Sequence, residues 1–474
     1  MLKGQEIVEF KLSELENSFT IGAEYYSKIF IENIEILKSS KLQCSKLSEI
    51  TSLITDGDHG ATKYQEAGVL YLLSESVKEG FIDLNVGTRF ISKELNIELK
   101  RSQLKPGDVV LTKTGVYFGK SAVVPINIKV ANTSAHVAKI TPNKEINSYY
   151  LSMFLNSKFG YNQLRRRGIK VSRPEIKLIE LQDILISIST KKFQELIEDV
   201  VLEAENIRND FENKYKAAER LLFEEIGYDN ENKIGDQINI KTYKKSFIVT
   251  GRLDAEYYQK IYERVLDHIV NNQHDILANL VHISKSIEPG SNHYDEEDGL
   301  PFYRIADYNK FELSIPDKNL KWSFIEENLN LIRHLKPTKG TILFSKDGSV
   351  GTAYLLKDNL NGITSSAILH LNIKNSKIVV PEYLTLVLNS ELVQKQAERD
   401  AGGSIILHWR KEEIEQVVIP IVKYHKQLEI AKLVDESFKL KLESERLLSI
   451  AKKAVEISIE ESEVKAISFI KSKK

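Results

Sequence analysis

Apolar positions along the chain follow two rhythms, and both rhythms occur twice. Stretches such as DVVLTKTGVYF and GTILFSKDGSVGTAYLL alternate or run apolar over a few residues and are broken by glycines, which predicts strands joined by tight turns. SYYLSMFLNSKFGYNQL and PEYLTLVLNSELVQKQ space their apolar residues by three and four, which predicts helix. The mixture predicts an α+β head. Its glycines mark sharp turns or close approaches of the backbone, and turn chemistry alone accounts for them without a further role.

The sharpest periodicity comes after each head. Phe193, Ile197, Val200, Ala204, Ile207, Phe211, Ala218 and Leu221 step by four and three and miss one beat at Lys214, as a coiled-coil seam does. Ile430, Leu433, Leu440, Leu447, Ala451 and Ala454 repeat that register, with Ser437 and Ser444 as polar interruptions. The interruptions fall at different layers, so each seam tolerates them if the two helices pack on one another. The alternative is that each helix packs on its own head. Length argues against it, because about 35 residues run roughly 50 Å and overhang a head of this size.

Short blocks recur in the same order about 232 residues later. AEYY stands at Ala23 and again at Ala255, and LKPGD from Leu104 returns as LKPTKG from Leu335. Gly115 and Gly119 correspond to Gly348 and Gly351, YLSMFLNSKF from Tyr150 to YLTLVLNSEL from Tyr383, and LQDILISI from Leu181 to IEQVVIPI from Ile414. Preserved order at a nearly constant shift indicates duplication. The expected organisation is an N-terminal arm over 1–17, a first head over 18–190, a first spacer helix over 191–226 and a linker over 227–245. A second head over 246–422, a second spacer helix over 423–465 and a tail over 466–474 complete it. The fold class is therefore α+β, with two mixed α/β heads in tandem, each followed by a long helix, and the helices pairing as an antiparallel coiled coil.

Composition narrows the function. The 474 residues are 42% hydrophobic and 28% charged, as in an ordinary folded protein. No apolar run approaches the roughly 20 residues of a spanning helix, and MLKGQEIVEF lacks a signal-peptide core. No membrane association and a cytoplasmic location are expected. A single cysteine, Cys44, excludes an internal disulfide and a multi-cysteine zinc site. The net charge of −1 means that any anion-binding surface is local.

Candidate catalytic chemistry does not assemble. Gly115-Val-Tyr-Phe-Gly119-Lys120-Ser121 is one residue short of a P-loop and leads into an apolar strand-like run, and the second copy has no lysine there. The turn instead displays Lys113, Tyr117 and Lys120, matched by Lys346 and Ser349, in a form able to enter a groove or meet phosphates. Asp56-Gly-Asp58-His59 lacks convergent metal-ligand spacing, and the second copy offers Pro289-Gly290-Ser291-Asn292-His293 without the acids. No metal site is expected. Glu-x-Lys pairs at Glu98 and Glu175 are commonplace in so charged a chain, and neither Asn-Pro-Pro-Tyr nor a serine elbow occurs. Basic residues gather late in each head: Arg165, Arg166, Arg167, Lys170 and Arg173 around Gly168, and Arg399, His408, Arg410 and Lys411 around Gly402 and Gly403. They read either as a solvated face or as phosphate-neutralising groups beside a base-reading loop.

DGDHGATKYQEAGVLYLLSESVKEGFIDL from Asp56, with ISKEL, LKPGDVVLTKTGVYFGKSAVVP and AHVAKI, resembles the first target-recognition domain of type I restriction-modification specificity subunits. RLDAEYY from Arg252, IEPGSNHYDEEDGLPFYRIADY, GTILFSKDGSVGTAYLL and AGGSIILHWRKEEIEQVVIPI resemble the second, and Gln194 and Gln427 stand at the helix starts that follow such domains. The first copy departs from the pattern in having RRRGIKVSRPEIKL in place of a glycine pair, and Ser187 where the second copy has Pro420. The resemblance implies a non-catalytic subunit that binds double-stranded DNA, reads an asymmetric split site and holds two methyltransferase subunits, with or without restriction/translocase subunits. It binds no cofactor itself; S-adenosylmethionine, and ATP and Mg where a nuclease is present, serve the partners. The candidate DNA-binding residues are His59, Lys63, Lys113, Tyr117, Lys120, Arg165, Arg166, Arg167, Lys170 and Arg173 in the first head. In the second they are Asn292, His293, Arg304, Lys346, Ser349, Arg399, His408 and Arg410.

Overall fold

A computed structural model describes residues 22–168, 173–229, 238–402 and 407–474. The chain divides into two compact units, one of Met1–Arg208 with Lys441–Lys474 and one of Asn209–Leu440.

In the first unit a four-stranded antiparallel sheet is ordered Thr51–Asp56, Val137–Pro142, Val109–Thr112 and Ser121–Val123. Its central strand explains the unbroken apolar run in the sequence. Val109 and Leu111 join a core shared with helices, whereas Val110 faces a second core with Leu72, Ala122 and Val137. Both faces are covered, so alternation gives way to continuous apolarity. A smaller sheet orders Thr88–Ile91, Val69–Leu72 and Ala131–Thr133, the last pair parallel. Gln43–Lys46 pairs with Leu185–Ile188, and Cys44 sits half-buried there with Sγ 3.4 Å from the Leu37 carbonyl.

The second unit repeats the plan. Val281–Lys285, Ile368–Ile373, Ile342–Ser345 and Ala353–Leu355 form the four-stranded sheet, and His274–Ile276 pairs with Val418–Pro420. A small sheet again ends in a parallel pair, Leu300–Tyr303 with Ile363–Thr364.

Buried amides give the duplication its physical content. The Asn156 side chain accepts from Ser121 N at 2.9 Å and donates to Ser121 O at 2.7 Å; Asn389 does the same to Ala353 at 3.0 and 2.8 Å. Gln163 clasps the Leu185 backbone and Gln396 the Val418 backbone in the same two-bond manner. Gln194 and Gln427 accept from Asn147 N and Val380 N while donating to Ser189 O and Val422 O. Each clasp satisfies backbone groups that the strands leave open, and losing one exposes that cost at about 1–3 kcal/mol. Tyr150 Oη donates to Ser187 O at 2.8 Å and Tyr383 Oη to Pro420 O at 2.7 Å. The acceptor is a main-chain carbonyl, which is why serine and proline are interchangeable there.

Helices Lys191–Ile226 and Tyr424–Glu460 each contribute one half to each unit. In the first unit Ser444 Oγ donates to Ala204 O at 2.8 Å while Thr190 meets Glu463, so the two chain directions oppose. In the second, Lys214 reaches Glu436 at 2.5 Å and Glu225 reaches Lys426 at 3.4 Å, again in opposed directions. Phe193, Ile197, Val200, Ile430 and Leu447 are fully buried and Phe211 nearly so, with Ile207, Leu433 and Leu440 half-buried. Beyond Phe211 the observed stripe differs from the expected one. Tyr215 and Leu222 are buried rather than Lys214 and Leu221, because the second half of the helix turns Tyr215 against Phe311. Ser437 and Ser444, expected as interruptions, are wholly buried and bond to the carbonyls of Val434 and Ala204. The expected tail is also structured: Glu463–Lys473 is a helix capped by the Ser462 side chain, with Ala466 and Ile470 in the first unit's core.

Candidate nucleic-acid interface

The hairpin turn between Val109–Thr112 and Ser121–Val123 is built by its own polar groups. Thr112 Oγ1 accepts from Lys120 N at 2.9 Å and donates to Tyr117 O, closing the loop around Gly115 and Gly119. Both glycines have positive φ, 76° and 85°, and a Cβ on Gly119 would stand 2.8 Å from the Tyr161 ring. Ser345 repeats the device, accepting from Thr352 N at 2.9 Å and donating to Ser349 O. Each turn also bonds to the chain beyond the helix Lys158–Gly168 or Glu391–Asp400: Gly115 N donates to Pro174 O at 3.0 Å and Gly348 N to Leu407 O at 2.9 Å.

At the first turn Tyr117 is half-buried and flanked by two ammonium groups, Lys78 at 5.3 Å and Lys120 at 5.7 Å from its ring centre. Desolvation, with the Glu75 charge adding to it, raises the Tyr117 phenol pKa, so it remains a neutral donor. Lys113 is not displayed there. It is buried and paired with buried Asp56 at 3.1 Å, and the same carboxylate holds His59 at 3.1 Å and Arg101 at 3.5 Å. Asp56 is thus neutralised by a fixed cation rather than presented to a metal. Among the described residues no group of three or more His, Cys, Asp or Glu is placed to hold one.

The basic clusters separate into two kinds. Arg166 is buried, donates from Nε to Tyr25 O at 2.9 Å and lies 4.2 Å over the Tyr25 ring. Arg399 takes the equivalent place, 5.2 Å over Tyr257, and is paired with Asp400 at 2.7 Å. Both therefore fasten the AEYY turn to the head, a packing role that expectation had assigned to DNA contact. Arg167 is buried as well. Arg165, Arg173 and Lys63 are exposed and have no ion-pair partner among the described residues. Lys170 lies outside the described residues.

In the second unit much of the expected positive charge is already met. Arg304 pairs with Asp307 and Asp317, Lys346 with Asp347 at 2.6 Å, and Arg410 with Glu413. Asn292 and Ser349 are exposed, and His293 packs 4.7 Å from the Phe324 ring. His408 is exposed and its Nδ1 meets Asp347 Oδ1 at 2.8 Å. Sequence reasoning missed Arg101, Asp347 and His136, which contacts Thr114 Oγ1 at 2.8 Å. His136 and Arg101 meet partners 22 and 45 positions away, and no local pattern marks them.

Each unit thus places a polar turn built on the same device beside its central sheet. Residues 276–452 match the family model described as "Type I restriction modification DNA specificity domain". A 111-residue stretch is 31% identical to the type I restriction enzyme EcoBI specificity subunit of Escherichia coli, covering 23% of this chain and 23% of that relative's length. Among solved structures, the type I restriction-modification S subunit from M. genitalium aligns over 89% of this chain and 96% of its own, at 12% identity and TM-score 0.39. The HsdS subunit from Thermoanaerobacter tengcongensis aligns over 89% and 97%, at 16% identity and TM-score 0.30. Both TM-scores lie below 0.5. Among the described residues no helix is long and apolar enough to cross a membrane.

Proposed function

We propose that the chain is the DNA-addressing subunit of a type I restriction-modification complex. Each head reads a few base pairs, and the target is a bipartite, asymmetric site with an unread spacer. The long helices pair as an antiparallel coiled coil and set the spacing, since reading heads on one DNA face sit about 34–36 Å apart. Two methyltransferase subunits, with or without restriction/translocase subunits, supply the catalysis and use S-adenosylmethionine, ATP and Mg. The chain itself contributes no catalytic group and acts in the cytoplasm.

One observation carries this reading: the heads share strand order, clasps and turn construction while the side chains displayed at the turns differ. Equal scaffolds with unequal loops suit two readers of different sequence. In the first head His59, Lys63, Arg101, Tyr117, Lys120, Arg165 and Arg173 form the contact set. In the second, Asn292, His293, Ser349, His408 and Arg410 do. The test is to sequence modified bases in hosts with and without the gene. A split methylation motif should vanish with the gene, and an unchanged set of motifs would overturn the proposal.

A further inference from the structure

Both units place the same three-part cluster at the same hairpin, built from different residues. Lys113 and Lys346 follow equivalent strands, and their backbone N–H groups donate to His136 O and Ala367 O, each at 2.9 Å. Each ammonium meets a carboxylate, Asp56 at 3.1 Å and Asp347 at 2.6 Å. Each carboxylate in turn meets an imidazole, His59 at 3.1 Å and His408 at 2.8 Å, whose side chains remain 66% and 63% exposed. Asp56 ends the strand Thr51–Asp56, whereas Asp347 directly follows its lysine. The cluster was therefore not simply copied with the repeat, and two routes lead to one arrangement.

We propose that His59 and His408 read bases directly, each held in one tautomer by its carboxylate, with Asp56 and Asp347 as the positioning residues. The inference rests on the DNA-addressing reading above and extends it. An ionised carboxylate only accepts, so the ring nitrogen facing it carries the proton. That nitrogen is Nε2 in His59 and Nδ1 in His408. In the singly protonated ring the opposite nitrogen, Nδ1 in one and Nε2 in the other, is the acceptor. It matches the exocyclic amine that adenine or cytosine presents in the major groove. Lys346 offsets the charge of Asp347, and Lys113 with Arg101 that of Asp56, so each cluster approaches the phosphate backbone without net repulsion.

The full chain, assembled with its methyltransferase subunits, is to be incubated with a randomised duplex pool and the bound DNA sequenced. The wild type should enrich a bipartite motif. His59→Ala should remove the preference at one or two positions of one half, a loss of about tenfold in discrimination per position, and leave the other half intact. His408→Ala should do the same in the opposite half, and Asp347→Asn, which no longer fixes the tautomer, should broaden the same position as His408→Ala. Asp56→Asn disturbs a buried ion pair, so the first head is judged on His59→Ala, whose side chain is outside the core. Histidine variants that melt like the wild type and enrich an unchanged motif overturn the proposal and leave the addressing reading standing. Uniform loss of the whole motif at an unchanged melting temperature also overturns it, as the mark of general anchoring. A wild-type complex that enriches no motif overturns the addressing reading itself.

Discussion

At the scale of single residues, charge in this chain is spent on holding loops as well as on facing solvent. Lys113 is the clearest case, since its ammonium and the Asp56 carboxylate are both buried and satisfy one another. Lys113→Met would remove the one buried cation at this carboxylate and leave it only the exposed Arg101 and His59 side chains. The first unit should lose stability by up to about 3 kcal/mol, less than a wholly unpaired buried charge costs, read as a lower melting temperature by calorimetry. His370 is a second buried polar group, 2.8 Å from Thr364 Oγ1, and burial lowers its imidazole pKa from 6.5 to about 4. The unfolded chain takes up a proton as pH falls through 6.5, whereas the folded chain does so only near 4. Stability of the second unit is therefore intact above the unfolded value and declines by up to about 3 kcal/mol as pH falls between the two. Both tryptophans, Trp322 and Trp409, lie in that unit, so denaturant titrations followed by their fluorescence at neutral and acid pH report it selectively. His370→Gln should flatten the acid limb.

At the scale of elements, the long helices show what a periodic pattern contains and what it omits. The step of four and three from Phe193 to Phe211 was legible because each seam residue is apolar and lies on one stripe. The shift to Tyr215 was not legible, because it depends on which surface the second half of the helix meets. Tyr215 and Phe211 pack on Phe311, with ring centres at 4.8 and 5.1 Å. How the seam accommodates its buried serines was likewise not legible. A hydroxyl bonded to a helix carbonyl is small and satisfied, so it packs where two backbones approach closely. Glu205, on the first half of the same helix, is pushed up to about 7 by desolvation from an ordinary 4.5. The unfolded chain releases that proton at lower pH than the folded chain, so the contribution is full below 4.5 and is lost as pH rises through 7. Glu205→Gln should stabilise the first unit at pH 8 by up to about 3 kcal/mol, seen as slower amide exchange in Lys191–Arg208.

At the scale of the whole molecule, the units are not the two halves of the sequence. The first unit's core takes Leu447, Ala451, Ala454, Val455, Ala466 and Ile470 from the end of the chain. Each such side chain contributes about 1–3 kcal/mol when buried, against a domain's net stability of about 5–15 kcal/mol. Cutting the linker near Gly235 should therefore leave one particle on size exclusion, with the fragments held together. Residues 1–234 expressed alone should not remain monomeric, because that core face is then uncovered. Light scattering that found a stable, folded monomer would contradict this account.

The sequence by itself determined the repeat, the alternation of strand and helix within each copy, the two long helices and the lack of a local catalytic motif. These depend on neighbours a few residues apart, and local spacing records them. Only the tertiary structure decided which cations are spent internally: Lys113 on Asp56, Arg166 and Arg399 on the AEYY tyrosines, Arg304 on Asp307 and Asp317. It likewise decided that the first compact unit closes with chain from both ends of the sequence, whereas the second is one continuous stretch. Ion pairs and core closure join groups far apart along the chain, and a lysine's residue type does not reveal whether its partner is a phosphate or a buried carboxylate.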